Sequence, residues 1–401
     1  MYEFKINIDE QAHDAFVKTS PYANLLQSSA WAKVKDNWGH VIVGVYEDGK
    51  LVASALVLIK TLPLGLTMLY TPRGAIMDYL NRPLVHFFME NLKKYGKTKK
   101  ALFLKMDPTI HYRDFHVGED QVINGEAEKK IQTLISCGAK WQGLTMAMDE
   151  TIQPRFQANV YKEDFDEESF TKKTRQMLRT ARNKGVKVRL GGKEFIPEFA
   201  QIMEKTSERK HIALRQKEYF EKLLNAYPED AFIMLAELNL KELFEATKKR
   251  YDDNETALAK LKENQVKKRH NLEELRTSLI REVNELEEKM NQFGDTVVIA
   301  GTLSIVFGKT SEILYAGMDE SYKRYMPAYL TWFETIKECF NRGAETSNMG
   351  GLEGTLNDGL LQFKNNFLPT IEEFAGEFDL PINKLLFSMS EYFYKLRKKK
   401  H

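Results

Sequence analysis

Residues Asn239 to Phe293 read NLKELFEATKKRYDDNETALAKLKENQVKKRHNLEELRTSLIREVNELEEKMNQF, with neither Pro nor Gly and a heavy load of Lys, Glu, Leu, Asn and Arg. Leu240, Phe244, Thr247, Tyr251, Leu258 and Leu261 fall at heptad-compatible positions, and so do Leu272, Leu275, Leu279, Val283, Leu286, Met290 and Phe293. Between the two series the polar, basic run Lys262 to Asn271 interrupts the seam. The pattern predicts an antiparallel helical hairpin with arms of about 25 residues, roughly 35 Å long at 1.5 Å per residue. A pair of solvated helices lying on the domain is the alternative.

The flanks decide what carries the hairpin. Ala231 to Leu238 and Val297 to Phe307 are apolar runs of strand type on either side of it, so it is inserted between two strands and should project from the body. Ser311 to Gly317 reads as a further strand, Ala328 to Arg342 as a helix and Thr346 to Met349 as a short strand. Upstream, Thr174 to Lys184 and Phe195 to Arg209 carry helical periodicity. The first 150 residues give a similar order. Asp9 to Lys18 and Ser28 to Asn37 read as helices, the latter opened by Ser28-Ser29. Val41 to Tyr46 and Leu51 to Ile59 are strands around the turn Glu47-Asp-Gly-Lys50. Helix Leu84 to Tyr95, strand Ala101 to Met106 and helix Glu128 to Cys137 follow. The chain therefore reads as α/β (α+β), two related units in tandem, at a length suited to two or three domains.

The 401 residues hold 59 Lys+Arg against 57 Asp+Glu, a formal charge of +2, with 43% hydrophobic and 29% charged residues. That composition is globular and excludes a uniformly basic nucleic-acid coat. Cys137 and Cys339 lie in no C-x-x-C or metal-ligand spacing, which points to a reducing compartment. The N-terminus has no secretory pattern and no run is long enough to span a bilayer, so a cytoplasmic location is expected.

Charge is segregated. Lys172, Lys173, Arg175, Arg179, Arg182, Lys184, Lys187, Arg189 and Lys193 occur in a stretch from Ser169 that has no acidic residue, and Lys172, Arg175, Arg179 and Arg182 share a helical face. This is a nucleic-acid contact or a solvated basic face. The tail Lys395 to His401, preceded by Tyr392-Phe-Tyr394, suits an anionic membrane surface or is a solubilising end.

Gly96-Lys-Thr98 and Gly308-Lys-Thr310 lack the upstream glycine of a phosphate loop, Asn91 and Leu303 standing there. The eight histidines are scattered, and no nucleotide-binding glycine fingerprint or serine elbow occurs. No metal, nicotinamide or ATP site is indicated, and no cofactor is expected. What remains is a series of local strings. Trp31, Lys35 and Trp38 fall at i, i+4, i+7, either as core with a snorkelling amine or as an anion or sugar site. The others are Thr151-Ile-Gln-Pro-Arg155, Leu214-Arg-Gln-Lys-Glu-Tyr-Phe220 after Arg209-Lys-His211, Tyr315-Ala-Gly-Met-Asp319, Met349-Gly-Gly-Leu-Glu353 and Phe363-Lys-Asn-Asn-Phe367. Each alone is more often a turn, a cap or a packed aromatic.

In this order the strings resemble the Fem family of non-ribosomal peptidyltransferases, which build peptidoglycan cross-bridges from aminoacyl-tRNA, and most nearly the MurM type of streptococci. The resemblance implies two tandem GNAT-like domains. The first would span 1–149 and be completed by 376–401, and the second 150–375, with a coiled-coil arm over 239–293. It implies aminoacyl-tRNA as donor and lipid II or UDP-MurNAc-pentapeptide as acceptor, handled by a monomer at the inner face of the plasma membrane. By position, Lys35 and Arg215 match residues that hold the precursor diphosphate, with Tyr219, Trp31, Trp38 and Tyr315 in the same cleft. Lys364 matches a lysine that stabilises charge during transfer, and Asp107 a carboxylate considered as a base. Lys172, Arg175, Arg179 and Arg182, with Lys267, Lys268 and Arg269 of the arm, are the candidate tRNA contacts.

Two other classes stay open at this point. One is an acyl-CoA-dependent N-acyltransferase on the same fold, disfavoured because the glycine-rich loop that holds the cofactor is missing. The other is a non-enzymatic tRNA-binding protein, which leaves Lys35, Arg215 and Lys364 unexplained.

Overall fold

The computed structural model describes residues 1–210 and 213–389. His211 and the aromatic and basic tail from Tyr392 to His401 lie outside the described residues. Two eight-stranded sheets form the body. Along the first run Tyr2–Ile6, Gly39–Glu47, Lys50–Thr61, Thr67–Thr71, Ala101–Met106, Phe378–Pro381 and Lys140–Trp141, with Ile76–Met77 beside Lys50–Thr61. Along the second run Val186–Gly191, Ala231–Asn239, Thr296–Phe307, Thr310–Met318, Thr346–Leu352, Phe156–Tyr161, Thr370–Phe374 and His111–Phe115.

The sheets repeat one plan. In each, antiparallel neighbours lead to a single parallel pair closed by a crossover helix, because parallel strands need a long connection. In the first sheet Thr67–Thr71 and Ala101–Met106 are joined by helix Arg82–Thr98. In the second, Thr310–Met318 and Thr346–Leu352 are joined by helix Pro327–Asn341, which begins at a proline whose missing N–H costs a helix nothing at that position. The second parallel pair is in register only at Thr310, Ser311 and Glu312 with Thr346, Ser347 and Asn348. Beyond that the two strands no longer pair, Tyr315 lying on one and Gly350-Gly351 on the other.

Apolar burial falls into three clusters. One lies under helices Arg82–Thr98 and Ala127–Ser136 on the first sheet, and one under Pro327–Asn341 and Lys172–Asn183 on the second. The third is shared. Ile42, Leu56, Leu58 and Tyr70 of the first sheet meet Phe199, Phe220, Ile233, Leu303 and Ile305 of the second half through Leu25, Trp31 and Val34. This common core fixes the two halves against each other, so residues from both can build one cleft.

The arm consists of helices Leu240–Ala259 and Val266–Phe293, about 30 and 42 Å long. Leu240, Thr247 and Asn254 on one helix, with Leu279 and Leu286 on the other, are buried at seven-residue spacing. Asn254 donates from Nδ2 to the Leu272 carbonyl at 3.1 Å, a polar register pin within the seam. Leu275 and Phe293 are each 40% exposed and stand outside it. The base of the arm packs on the second core through Leu240, Leu286, Leu243, Phe244 and Met290.

One helix is shorter than its pattern. The segment read as Ser28 to Asn37 is helical only over Ser29–Val34. Lys35 leaves helical geometry at ψ 39°, and Trp38 N–H turns back to the Lys35 carbonyl at 2.9 Å. Trp38 therefore does not continue the Trp31–Lys35 face.

Candidate active site

The cleft begins at the turn after helix Ser29–Val34. Ser28 opens that helix, and its Oγ lies 2.5 Å from the Tyr227 hydroxyl at the end of helix Lys217–Ala226. This contact sets the two helices side by side and brings Lys35 to Arg215. The Lys35 amine lies 5.4 Å from the Trp31 ring, and the Arg215 guanidinium 4.9 Å from the Tyr219 ring. Tyr219 meets the edge of Tyr315 at 6.1 Å, and Phe220 meets it at 5.3 Å. Burial, and then the Arg215 charge, push the Lys35 amine below the ordinary lysine value, with no carboxylate among the described residues offsetting them. Two cations held together without a counter-charge repel unless an anion lies between them, which makes this a seat for a multiply charged anion. The phenols of Tyr219 and Tyr315 are pushed up by burial and hydrogen-bond to each other, so they remain neutral donors.

Trp31 is core, 6% exposed. Trp38 instead tilts against Tyr70 at 6.3 Å and carries the Lys60 amine at 5.3 Å from its ring. Tyr70 continues the wall inward, its hydroxyl donating to Asp107 Oδ2 at 2.7 Å. Asp107 Oδ1 accepts the Arg73 N–H at 2.6 Å, and the carboxyl is pushed up to about 6 by burial against the opposing pull of Arg73 and Tyr70. Arg73 is 2% exposed and reaches across to the second half, its Nη2 donating to the Pro154 carbonyl at 2.7 Å. Glu312 looks toward Arg73 and Asn24, and its carboxyl is pushed up to about 7 by burial.

The relay ends on Lys364. Pro154 packs on Gly351, where an added Cβ would stand 2.4 Å from the proline ring. The Gly351 carbonyl accepts from Lys364 Nζ at 2.8 Å. Lys364 closes helix Gly359–Lys364, opened by Asp358, whose Oδ1 accepts the Leu361 N–H at 2.9 Å. It is 3% exposed, and burial lowers its amine to about 7 against the upward pull of Asp358, with the Lys210 charge adding a smaller downward push. An ammonium has three donors, and among the described residues only the Gly351 carbonyl takes one. Gly351→Ala should therefore act twice. It should cost about 1–3 kcal/mol of stability through overpacking, read by urea unfolding, and slow turnover by displacing the acceptor of Lys364.

Lys35, Arg215, Tyr219, Tyr315, Trp38, Asp107 and Lys364 are thus joined by one chain of contacts that runs through Tyr70, Arg73, Pro154 and Gly351. Tyr70, Arg73 and Glu312 join it without having been read from the sequence. The signals available were the buried-strand tyrosine before Thr71-Pro-Arg-Gly74 and a lone carboxylate in the apolar run Ser311 to Tyr315. Arg155 serves another purpose. It is 3% exposed, with Nη1 2.6 Å from Glu373 Oε1, and it donates to the Thr145 and Phe374 carbonyls at 2.6 and 2.9 Å.

The basic residues expected to meet tRNA lie elsewhere. On helix Lys172–Asn183, Arg182 is paired with Glu167 at 2.6 Å and Arg175 donates to the Glu168 carbonyl at 2.9 Å. Nearby, Lys187 pairs with Glu242 at 3.3 Å and Arg189 with Glu237 at 2.6 Å. Lys172, Lys173 and Arg179 remain exposed. Lys267 and Lys268 are exposed at the far tip of the arm, with Arg269 half-buried beside them. Among the described residues no group of His, Cys, Asp and Glu could hold a metal, and both cysteines are buried thiols.

A family model described as the FemAB family matches residues 8–395. The chain is 30% identical over 410 aligned residues to a lipid II:glycine glycyltransferase of Staphylococcus epidermidis (strain RP62A), covering 96% of this chain and 95% of that one. It is 28% identical over 409 to the protein of the same name from Staphylococcus haemolyticus, with the same coverage of 96% and 95%. The crystal structure of FemX superposes with a TM-score of 0.77 at 26% identity, over 96% of this chain and 99% of that one. A tandem GNAT protein from the clavulanic acid biosynthesis pathway shares the fold at a TM-score of 0.50 and 8% identity, over 96% of this chain and 99% of that one.

Proposed function

The chain belongs to the FemAB family, and from that premise we propose that it transfers a small amino acid from aminoacyl-tRNA to the stem-peptide lysine amine of lipid II. Glycine is supported by the names of the staphylococcal relatives, and alanine and serine are the other small amino acids carried by the reading. The observation that carries the reading is the uncompensated pair Lys35 and Arg215 at one end of a path that ends on the buried amine of Lys364.

The diphosphate of lipid II takes the seat between Lys35 and Arg215, where two cations on separate helices meet charge that one side chain cannot neutralise. Tyr219 and Tyr315 donate from beside it. The stem peptide then runs past Tyr70 toward the parted strands, placing its lysine amine near Gly350-Gly351. That amine, deprotonated, attacks the aminoacyl ester. A C–N bond forms, a tetrahedral oxyanion passes, and the ester C–O bond breaks as the ribose hydroxyl leaves with a proton. Lys364, protonated, donates to the oxyanion from a water-poor site where such a bond is strong. Asp107 is the carboxylate placed to accept the amine's proton, and Arg73 and Tyr70 orient it. No protein nucleophile is required. Lys172, Arg179 and the arm tip at Lys267, Lys268 and Arg269 are the surfaces assigned to tRNA. The enzyme is assigned to the cytoplasmic face of the membrane as a monomer; among the described residues no helix is long and apolar enough to cross it.

The test separates binding from chemistry. Lys35→Ala and Arg215→Ala should each raise KM for the precursor about 10- to 100-fold, the worth of a charge-assisted hydrogen bond, while changing kcat little. Unchanged KM in both variants would remove the diphosphate from this seat.

A further inference from the structure

At one end of the first sheet, exposed apolar side chains stand among lysines. There the Lys50–Thr61 strand turns through Pro63–Gly65 into Thr67–Thr71, closed by Leu62 N–H to the Leu66 carbonyl at 2.8 Å. Leu64 at the tip is 95% exposed and holds φ +63°, a conformation in which Gly or Asn is usual. A scattered exposed leucine is ordinary; a leucine in the left-handed region with its side chain wholly in water needs a reason.

Its neighbours supply one. Thr67 N–H bonds to the Lys100 carbonyl, and Ile382 and Asn383 N–H both bond to that of Leu102, so the end of helix Arg82–Thr98 and the last described residues lie alongside. Residues 384–389 are helical and carry Leu385 at 73% and Met389 at 47% exposure, while Phe387 anchors them on Phe103 at 5.2 Å. The segments 60–66, 97–103 and 380–389 contain Lys60, Lys97, Lys99, Lys100 and Lys384 and no Asp or Glu. All five lysines are exposed. Lys60 also covers Trp38, in the turn that carries Lys35.

We propose that this end of the sheet docks on an anionic lipid bilayer, Leu64, Leu385 and Met389 entering the headgroup boundary and the lysines meeting lipid phosphates. Apolar tips beside five exposed lysines, with no Asp or Glu in those three described segments, match a bilayer surface, whereas a nucleic acid would leave the leucines in water. Docked this way, the turn from Lys35 to Trp38 stands at headgroup depth, the level at which a lipid-linked diphosphate lies. That last consequence rests on the reading of lipid II as acceptor; the docking itself does not.

The experiment uses the full chain with vesicles of phosphatidylcholine alone or with one quarter phosphatidylglycerol, in flotation at low salt. The parent should float with the anionic vesicles only. Leu64→Asn, which keeps a residue at ease with φ +63°, should lower partitioning about tenfold. Lys99→Glu with Lys100→Glu should lower it about 25-fold or more, taking each lysine as about fivefold. Both variants should keep the parent's rate on soluble UDP-MurNAc-pentapeptide and lose it on lipid II in vesicles. Parent-like flotation of both variants would overturn the proposal, as would loss of tRNA binding, rather than vesicle binding, in the double-lysine variant. Vesicle binding that depends on Leu64 and the lysines in a protein unable to modify lipid II would uphold the docking surface and refute the acceptor.

Discussion

Replacing Lys364 with Met is expected to lower kcat at least about 100-fold and to leave KM for the precursor nearly unchanged, the size of effect seen when one oxyanion donor is removed. The amine is buried, has a single carbonyl acceptor among the described residues and titrates near 7 because burial and Lys210 disfavour its charge. Only the protonated form donates to the oxyanion with full strength. Activity in the parent should therefore fall as pH rises through about 7, and rise on the acid side as Asp107 ionises near 6. The two limbs give a bell in kcat/KM. Lys364→Met should abolish the alkaline limb of the residual rate, and Asp107→Asn the acid limb. Stability separates this from a structural role. A lysine whose folded value is lowered is destabilising wherever it must carry charge, and that cost is full below about 7 and fades toward the ordinary lysine value. The Met variant should thus be at least as stable as the parent at neutral pH. A clear drop in its urea midpoint, with activity lost in proportion, would make Lys364 a structural residue.

The largest loss of stability is expected from Arg155→Ala, about 3–5 kcal/mol, because one partner of a buried ion pair is removed while the other stays. Glu373 is fully buried, shared between Arg155 and Arg113, and the Arg155 guanidinium also satisfies the Thr145 and Phe374 carbonyls. These contacts tie strands Phe156–Tyr161, Thr370–Phe374 and His111–Phe115 to the loop that carries Pro154. Losing them should lower the urea midpoint sharply. Arg155→Lys should recover only part, since an ammonium cannot serve the carboxylate and two carbonyls in the same plane. Full stability in Arg155→Ala would contradict the buried clamp.

How much of this was legible depends on where side chains point. The arm was plain because a heptad without Gly or Pro has few other readings, and the buried residues Leu240, Thr247, Leu279 and Leu286 keep that spacing. Strands Phe156–Tyr161 and Thr370–Phe374 were not, because Gln157, Asn159, Glu372 and Glu373 are buried on them alongside the core residues Phe156, Ala158, Val160 and Ile371. Asn159 donates to Glu372 at 2.7 Å and Asn348 to Gln157 at 2.9 Å, polar pairs that read as a solvent face yet satisfy each other inside. The string Thr151 to Arg155 helped to carry the family resemblance and was given no role in the site. In space Pro154 does approach the site, while Arg155 beside it is a clamp. The Trp31, Lys35 and Trp38 spacing named residues that do gather near the cleft, but the helix stops at Val34, so Trp38 arrives by a turn and faces Tyr70. Tyr70, Arg73 and Glu312 depend on contacts between distant segments, which local sequence does not encode. The basic stretch from Lys172 looked more open than it is because its counter-charges, Glu167, Glu237 and Glu242, lie outside that stretch.

On the proposed function, the residues from Lys35 to Lys364 join an aminoacyl ester to a lysine amine on a lipid-linked precursor. The most direct measurement is mass analysis of lipid II after incubation with the protein and, in turn, glycyl-, alanyl- and seryl-tRNA, with acetyl-CoA as a parallel donor. The expected result is lipid II heavier by one amino acid residue on the stem-peptide lysine with at least one of the three tRNAs, no acetyl product, and loss of the product with Lys364→Met. Unmodified lipid II with every aminoacyl-tRNA, or acetylation by acetyl-CoA, would contradict it.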